Sequence, residues 1–185
     1  MKVNTHSNKN HVECYLKQCY IVTMNRFKFP AWEQLPDMGL YMDQVITFLN
    51  DRLSCLYFND EKFVTNSMIN NYVKAGLVRR PEKKHYTRTH LAYFIVVTIL
   101  KRCYSMSQID SMIQIQTHMD NSSIHSAYDV FIQRFEDSLN AVFEEDGEEP
   151  PFEITRDEQI LMDNVIQCTI HKIRSEYLLS RIDPS

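Results

Sequence analysis

Two neighbouring runs of polar and basic side chains are the part of the sequence best suited to contact another molecule. The first run carries hydroxyl, amide and ammonium groups at Thr65, Asn66, Ser67, Asn70, Asn71, Tyr72 and Lys74. The second run is basic and contains Arg79, Arg80, Lys83, Lys84, Tyr86 and Arg88. Amides and hydroxyls can bond base edges in the major groove of DNA, while Lys, Arg and Tyr can bond phosphates. The two runs predict contact with double-stranded DNA, the alternative being a polar face that is merely solvated. For Tyr72 and Tyr86 an equal alternative is packing in the core with only the hydroxyl wetted.

The residues between and around these runs predict how the chain presents them. Thr65 is a good N-cap, and Gly76 can supply the left-handed residue that follows a helix. Pro81 has no backbone N–H and favours a turn or an edge, so we expect a two-stranded wing over residues 79–88. The helix over residues 65–74 is then expected to enter the major groove, with the wing on the phosphate backbone.

Charge is divided unevenly along the chain, although the net charge is only −4. Residues 62–102 hold nine Lys and Arg against Glu82 alone, a local charge of +8. Residues 103–163 hold two Arg against fourteen Asp and Glu, a local charge of −12. A basic block attracts phosphates by releasing counterions, whereas an acidic block repels them. The acidic half is therefore expected to face away from nucleic acid.

Composition favours an all-α fold, because 185 residues contain only three Gly and six Pro. Apolar spacing predicts an amphipathic helix from Met42 to Leu56 and a buried helix, capped by Thr87, over residues 91–100. Ser105 with Gln108, and Thr155 with Glu158, match the capping-box pattern that opens a helix. A further helix starts at Asn121 or Ser122. It should form an antiparallel helical hairpin with the last helix.

We therefore divide the chain into a disordered tail (1–28), a DNA-binding domain (29–117) and an acidic C-terminal helical region (118–185) that packs on it. Whether residues 1–23 belong to the natural protein is open, because Met24 is a second plausible start. An apolar stripe over residues 124–142 could form a homodimer through the C-terminal helices, or could be part of the chain's own core.

Other chemistries find little support in the sequence. Five scattered Cys suggest a reducing cytoplasm, and the apolar run from Leu91 to Leu100 is too short to span a membrane. No Gly-rich phosphate loop or hydrolase motif is present, so we expect neither an enzyme nor a cofactor. The cluster of His6, His11, Cys14 and Cys19 fits no zinc spacing, so no metal is expected. We expect histidines 85, 90, 118 and 125 at the surface.

Residues 68–78 resemble the recognition helix of MerR-type regulators: Tyr72, Gly76 and Leu77 match that pattern, and Lys84 and Tyr86 match its wing. Residues 29–116 more closely resemble the uncharacterised bacterial domain-of-unknown-function family 1836, described as MerR-like. The resemblance implies a winged helix-turn-helix and a transcriptional regulator. Asn70 and Asn71 replace an Arg and a Tyr, which leaves affinity mainly to the wing. The alternatives are a protein-interaction module that has lost base readout and, more weakly, an excisionase-type architectural factor.

Overall fold

Six helices account for most of the computed structural model, which describes residues 27–58, 64–118, 123–143 and 156–182. They are α1 Met42–Leu53, α2 Asn66–Lys74, α3 Arg88–Leu100, α4 Met106–His118, α5 Ile124–Phe143 and α6 Asp157–Arg181. Single 3-10 turns occur at Trp32–Gln34 and Ser54–Leu56. The described residues contain no β-strand. The expected all-α class is confirmed, and the predicted two-stranded wing is wrong.

In place of the wing, residues 79–85 form what we call the basic turn. Its reversal is closed by a hydrogen bond from His85 N to Glu82 O (2.8 Å), and Lys83 and Lys84 between them have φ of 49° and 65°. The next hydrogen-bonded pair of a hairpin would join Arg80 to Thr87, because pairs in an antiparallel ladder alternate, but the Thr87 N–H donates to His90 Nδ1 (3.0 Å). The outward-facing backbone groups of Tyr86 exchange two 2.8 Å bonds with Leu40. A second strand pair is thus replaced by a contact with the segment before α1.

Helix ends follow the predicted signals where the structure describes them. Thr65 Oγ1 accepts a bond from Met68 N (3.4 Å), and Gly76, just beyond α2, has φ of 81°. Thr87 is the N-cap of α3, and Ser105 N donates to Gln108 Oε1 at 2.9 Å before α4. The N-cap of α6 is Arg156, while the predicted capping residue Thr155 lies outside the described residues.

The core is centred on α3, which packs against α1, α2, α5 and α6. Nine of its thirteen residues are buried, which confirms the central helix predicted from its apolar sequence. The stripe on α5 is largely buried in this same core, at Tyr128, Phe131, Phe135 and Leu139. That stripe belongs to the chain's own core, and dimerisation through other parts of the C-terminal helices stays a prediction.

The predicted antiparallel hairpin of α5 and α6 is wrong, because the two helices pack in parallel. Arg134 near the middle of α5 bonds Asp163 (2.7 Å), whereas Arg174, further along α6, donates to Val142 O near the end of α5 (2.7 Å). Contacts therefore advance along both helices together. Thirteen residue steps from Phe143 to Arg156 reach at most ~3.5 Å each, enough to return along the ~30 Å length of α5.

The N-terminal segment, residues 27–41, begins by running along α5 in the opposite direction. Phe27 N donates to Asn140 Oδ1 (2.6 Å), Phe29 N to Glu136 Oε2 (3.0 Å) and Trp32 N to Asp129 Oδ1 (2.7 Å). Phe27 is 1% exposed and its ring lies 5.1 Å from that of Phe143. Residues 27 and 28, which we had assigned to the tail, thus belong to the packed part of the chain. Residues 1–26 lie outside the described residues.

Candidate nucleic-acid interface

One side of α2 carries five of the predicted contact residues. Asn66, Ser67, Asn70, Asn71 and Lys74 are all exposed. At about 100° per residue these positions fall within roughly 140° of the helix circumference. Ile69 and Tyr72, on the other side, are 0% and 2% exposed and pack in the core. The helix therefore presents a continuous strip of amide, hydroxyl and ammonium groups.

Two other residues predicted from this run have structural roles. The Thr65 hydroxyl caps α2 through Met68 N, which uses the group that we expected to reach DNA. Burial raises the pKa of Tyr72 to about 12, and its hydroxyl lies beside Thr98 within the core. Since a buried phenol cannot bond a phosphate at the surface, the structure removes Tyr72 from the predicted contact set.

The basic turn brings four exposed cations together: Arg79, Arg80, Lys83 and Lys84. Glu82 is their acidic neighbour and lies 3.9 Å from the Arg79 guanidinium, with both side chains more than 80% exposed. Such an exposed ion pair contributes little to stability and leaves the Arg79 guanidinium in contact with solvent. The turn therefore keeps a strong local positive charge immediately after α2.

The base of the basic turn is fixed to the segment that precedes α1. A Cβ added at Gly39 would lie 2.9 Å from His85 Cβ, so the two chains approach too closely for a larger residue. The rings of Tyr41 and His85 are 4.5 Å apart. Tyr86 is 5% exposed and burial raises its pKa, so its ring is part of the core and cannot contact a phosphate as predicted.

Arg88 also departs from its predicted role. Its side chain is only 17% exposed, and its Nε donates to Leu35 O at 3.1 Å. Its guanidinium also bonds Glu33 at 2.9 Å and lies 3.8 Å from an Asp37 oxygen. Arg88 therefore joins the start of α3 to the N-terminal segment. The sequence did not reveal this, because its partners lie more than fifty residues away.

His90, which we expected at the surface, is 8% exposed and lies on the buried side of the basic turn. Its Nδ1 accepts a hydrogen bond from Thr87 N (3.0 Å) and lies 2.8 Å from the Thr87 hydroxyl. Burial lowers the pKa of His90, while the nearby backbone carbonyls of Arg80 and Arg79 act in the opposite direction. A neutral imidazole at this position therefore stabilises the residues that connect the turn to α3.

Metal-binding side chains are not grouped together in the described part of the chain. No group of three or more His, Cys, Asp or Glu among them could hold a metal ion, and the cluster at residues 6–19 lies outside the described part. A cavity of about 90 Å³ lies between α3, α4, α5 and α6, with mostly apolar walls that include Val96, Met112 and Met162. None of the predicted DNA-contact residues lines it.

A protein-family model with the description Domain of unknown function (DUF1836) matches residues 30–131, more than half of the chain. The chain belongs to this family. The DUF1836 match begins in the N-terminal segment, includes both α2 and the basic turn, and ends within α5. No curated protein and no solved structure matches the chain. No helix in the described ranges is both long enough and apolar enough to cross a membrane.

Proposed function

We propose that this DUF1836 protein is a non-enzymatic transcriptional regulator that binds double-stranded DNA. The exposed side of α2 enters the major groove, and the basic turn lies against the phosphate backbone. One observation carries the proposal: five exposed polar side chains along α2 are followed, just beyond Gly76, by four exposed cations. A helix of this size fits the major groove, and neighbouring cations hold it there by bonding phosphates.

The resemblance to the MerR recognition helix supports a shared local shape more than a shared base readout. Of the matching residues, Tyr72 and Leu77 are buried and Gly76 has the left-handed backbone that ends α2. These are structural positions. The groove-facing positions differ, since asparagines at 70 and 71 stand where MerR-type regulators have Arg and Tyr.

Asparagine gives the proposed contact a particular base preference. Its side-chain amide can bond adenine at N6 and N7 simultaneously, whereas Arg prefers guanine. With Asn66, Asn70 and Asn71 on the exposed side of α2, we expect adenine at the contacted positions of a preferred site. Lys74 and the basic turn are then expected to contribute affinity that does not depend on sequence.

The decisive measurement is a titration of the full chain with duplex DNA at several salt concentrations. The test variant is Lys83→Asn with Lys84→Gly. Both positions have positive φ, which Asn and Gly adopt readily, so the turn is retained while two charges are lost. If both lysines contact phosphates, the slope of log K against log salt falls by about 1.8, since each contact contributes about 0.9. Affinity falls for all sequences alike.

A matched control removes two exposed cations from α6, by Lys172→Gln with Arg181→Gln. The net charge changes equally, but binding should stay close to that of the unmodified chain. Replacing Asn70 and Asn71 with Ala should instead weaken the preference among sequences and leave the salt slope unchanged. Absence of binding at low salt would contradict the proposal and favour the protein-interaction alternative.

A further inference from the structure

Two cysteines that are distant in sequence lie side by side at the far end of α3. Cys103 follows that helix and Cys168 lies on α6, 65 residues later. The Cys103 thiol points at α6 and donates to Cys168 O at 3.8 Å. Its sulfur is also within hydrogen-bonding reach of the Cys168 thiol. Cys168 is exposed and Cys103 half-buried, and both are free thiols.

Neighbouring contacts fix the two chain segments against one another. The Arg102 guanidinium bonds the Glu176 carboxylate on α6 and donates to Leu56 O at 2.7 Å. The same guanidinium lies over the Tyr57 ring, 4.0 Å from its centre. Glu176 is two turns beyond Cys168 on the same helix. The connection after α3 is therefore attached to α6 beside the facing thiols.

The environments of the two thiols differ in a way that sets an order of reaction. Burial, with the Cys168 thiol as a further cause, raises the pKa of Cys103. Cys168 is open to solvent, and Lys172 follows it by one helical turn. Since oxidants act on an accessible thiolate, Cys168 is the thiol that meets the oxidant first and Cys103 the one that resolves the product.

We propose that Cys103 and Cys168 form a reversible disulfide on exposure to a peroxide. The Cys168 thiolate attacks one peroxide oxygen, the O–O bond breaks, and a sulfenic acid and one water result. The Cys103 sulfur then attacks the Cys168 sulfur, the S–O bond breaks, and the S–S bond and a second water form. Two electrons pass from the two thiols to hydrogen peroxide, and a dithiol reductant restores the starting state.

The bond would join the end of α3 to α6 and close a loop that contains α4 and α5. Closing a loop of this length restricts the unfolded chain, so the oxidised protein should melt about 5–10 °C higher than the reduced one. Neither α2 nor the basic turn takes part in the bond. The inference therefore stands or falls independently of DNA binding.

The test uses the full chain with Cys14 and Cys19 replaced by Ser, reduced and then treated with hydrogen peroxide. Peptide mapping without reductant should recover residues 103 and 168 in one linked species that has lost the mass of two hydrogens. Dithiothreitol should separate it again and reverse the rise in melting temperature. Cys55, whose pKa burial raises to about 12, serves as the matched control, and Cys55→Ser should leave the linked species intact.

The single variant Cys103→Ser should abolish the link and leave a sulfenic acid at Cys168 that dimedone labels. Its melting temperature in the reduced state, compared with that of the parent, shows that the variant is folded. Absence of the 103–168 species in the folded parent, or labelling of Cys55 in preference to Cys168, would overturn the proposal.

Discussion

At the scale of single residues, His90 links the proposed DNA contact to the core. It occupies the third position of α3, where its Nδ1 accepts the Thr87 N–H. An imidazole can accept at Nδ1 only while that nitrogen carries no proton. Protonation would therefore break a helix cap immediately after the basic turn. The ring also lies 5.6 Å from that of Tyr86, which places the same histidine against the buried end of the turn.

This contact predicts a loss of stability in mild acid. Burial lowers the pKa of His90 in the folded chain below its ordinary value of 6.5. Above pH 6.5 the His90 imidazole is neutral in both the folded and the unfolded chain, so its full contribution to the free energy of unfolding is present. As the pH falls below 6.5, the unfolded chain binds the proton first, so the free energy of unfolding decreases until the folded pKa is reached. Urea unfolding between pH 7.5 and 5.5 measures this decrease.

His90→Gln is the matched variant, because Gln at this position completes a capping box and does not titrate. Its free energy of unfolding should depend less on pH over the same interval than that of the parent chain. The other six histidines are common to both proteins, so the difference isolates His90. Identical pH profiles would show that the buried ring contributes nothing to the dependence.

At the scale of elements, Gly76 determines where α2 ends ahead of the basic turn. Its φ of 81° is readily available to Gly, and an added Cβ would meet no atom within 4 Å. Gly76→Ala should therefore cost about 1 kcal/mol through backbone strain alone, without a steric clash. Gly76→Asn should cost less, because Asn tolerates the left-handed region. Urea unfolding of the three proteins measures these differences. If the Ala variant were as stable as the parent chain, the explanation by backbone strain would be wrong.

Predictions from the sequence succeeded where an element is determined by its own residues. Thr87 and Ser105 cap helices through groups within a few residues, and α3 is apolar on every side. The wing and the direction of α6 were wrong because distant contacts decide them. Tyr86 exchanges its backbone bonds with the distant Leu40, and Asp163 reaches Arg134 on a parallel helix.

The same distinction separates the candidate contact residues. Spacing along α2 placed five of them on one exposed side, because helical periodicity is local. Residue type placed Arg88 on DNA and left Tyr72 and Tyr86 open between phosphate contact and core packing, and all three contact the core or remote segments. Their partners come from other parts of the chain, and a single sequence does not reveal such pairings.

At the scale of the whole molecule, the N-terminal segment makes the two halves of the chain interdependent. The acidic side chains Asp129 and Glu136, which we expected only to face away from DNA, accept backbone N–H groups of that segment. The Tyr128 hydroxyl adds a bond to Pro30 O at 2.7 Å. Arg88 then connects the same segment to α3. Part of the acidic charge thus serves internal hydrogen bonding, and the segment joins α3 to α5.

This arrangement predicts that the described core unfolds in one cooperative step. Trp32, the single tryptophan of the chain, stacks on His125 of α5 at 5.2 Å, so its fluorescence reports whether the segment is docked. Far-ultraviolet circular dichroism reports all helices. The two signals should change at the same urea concentration. Glu136→Ala, which deprives the buried Phe29 N–H of its partner, should shift both transitions together by about 1–3 kcal/mol. If the fluorescence transition alone moved, the segment would be a separate unit and α5 would not depend on it.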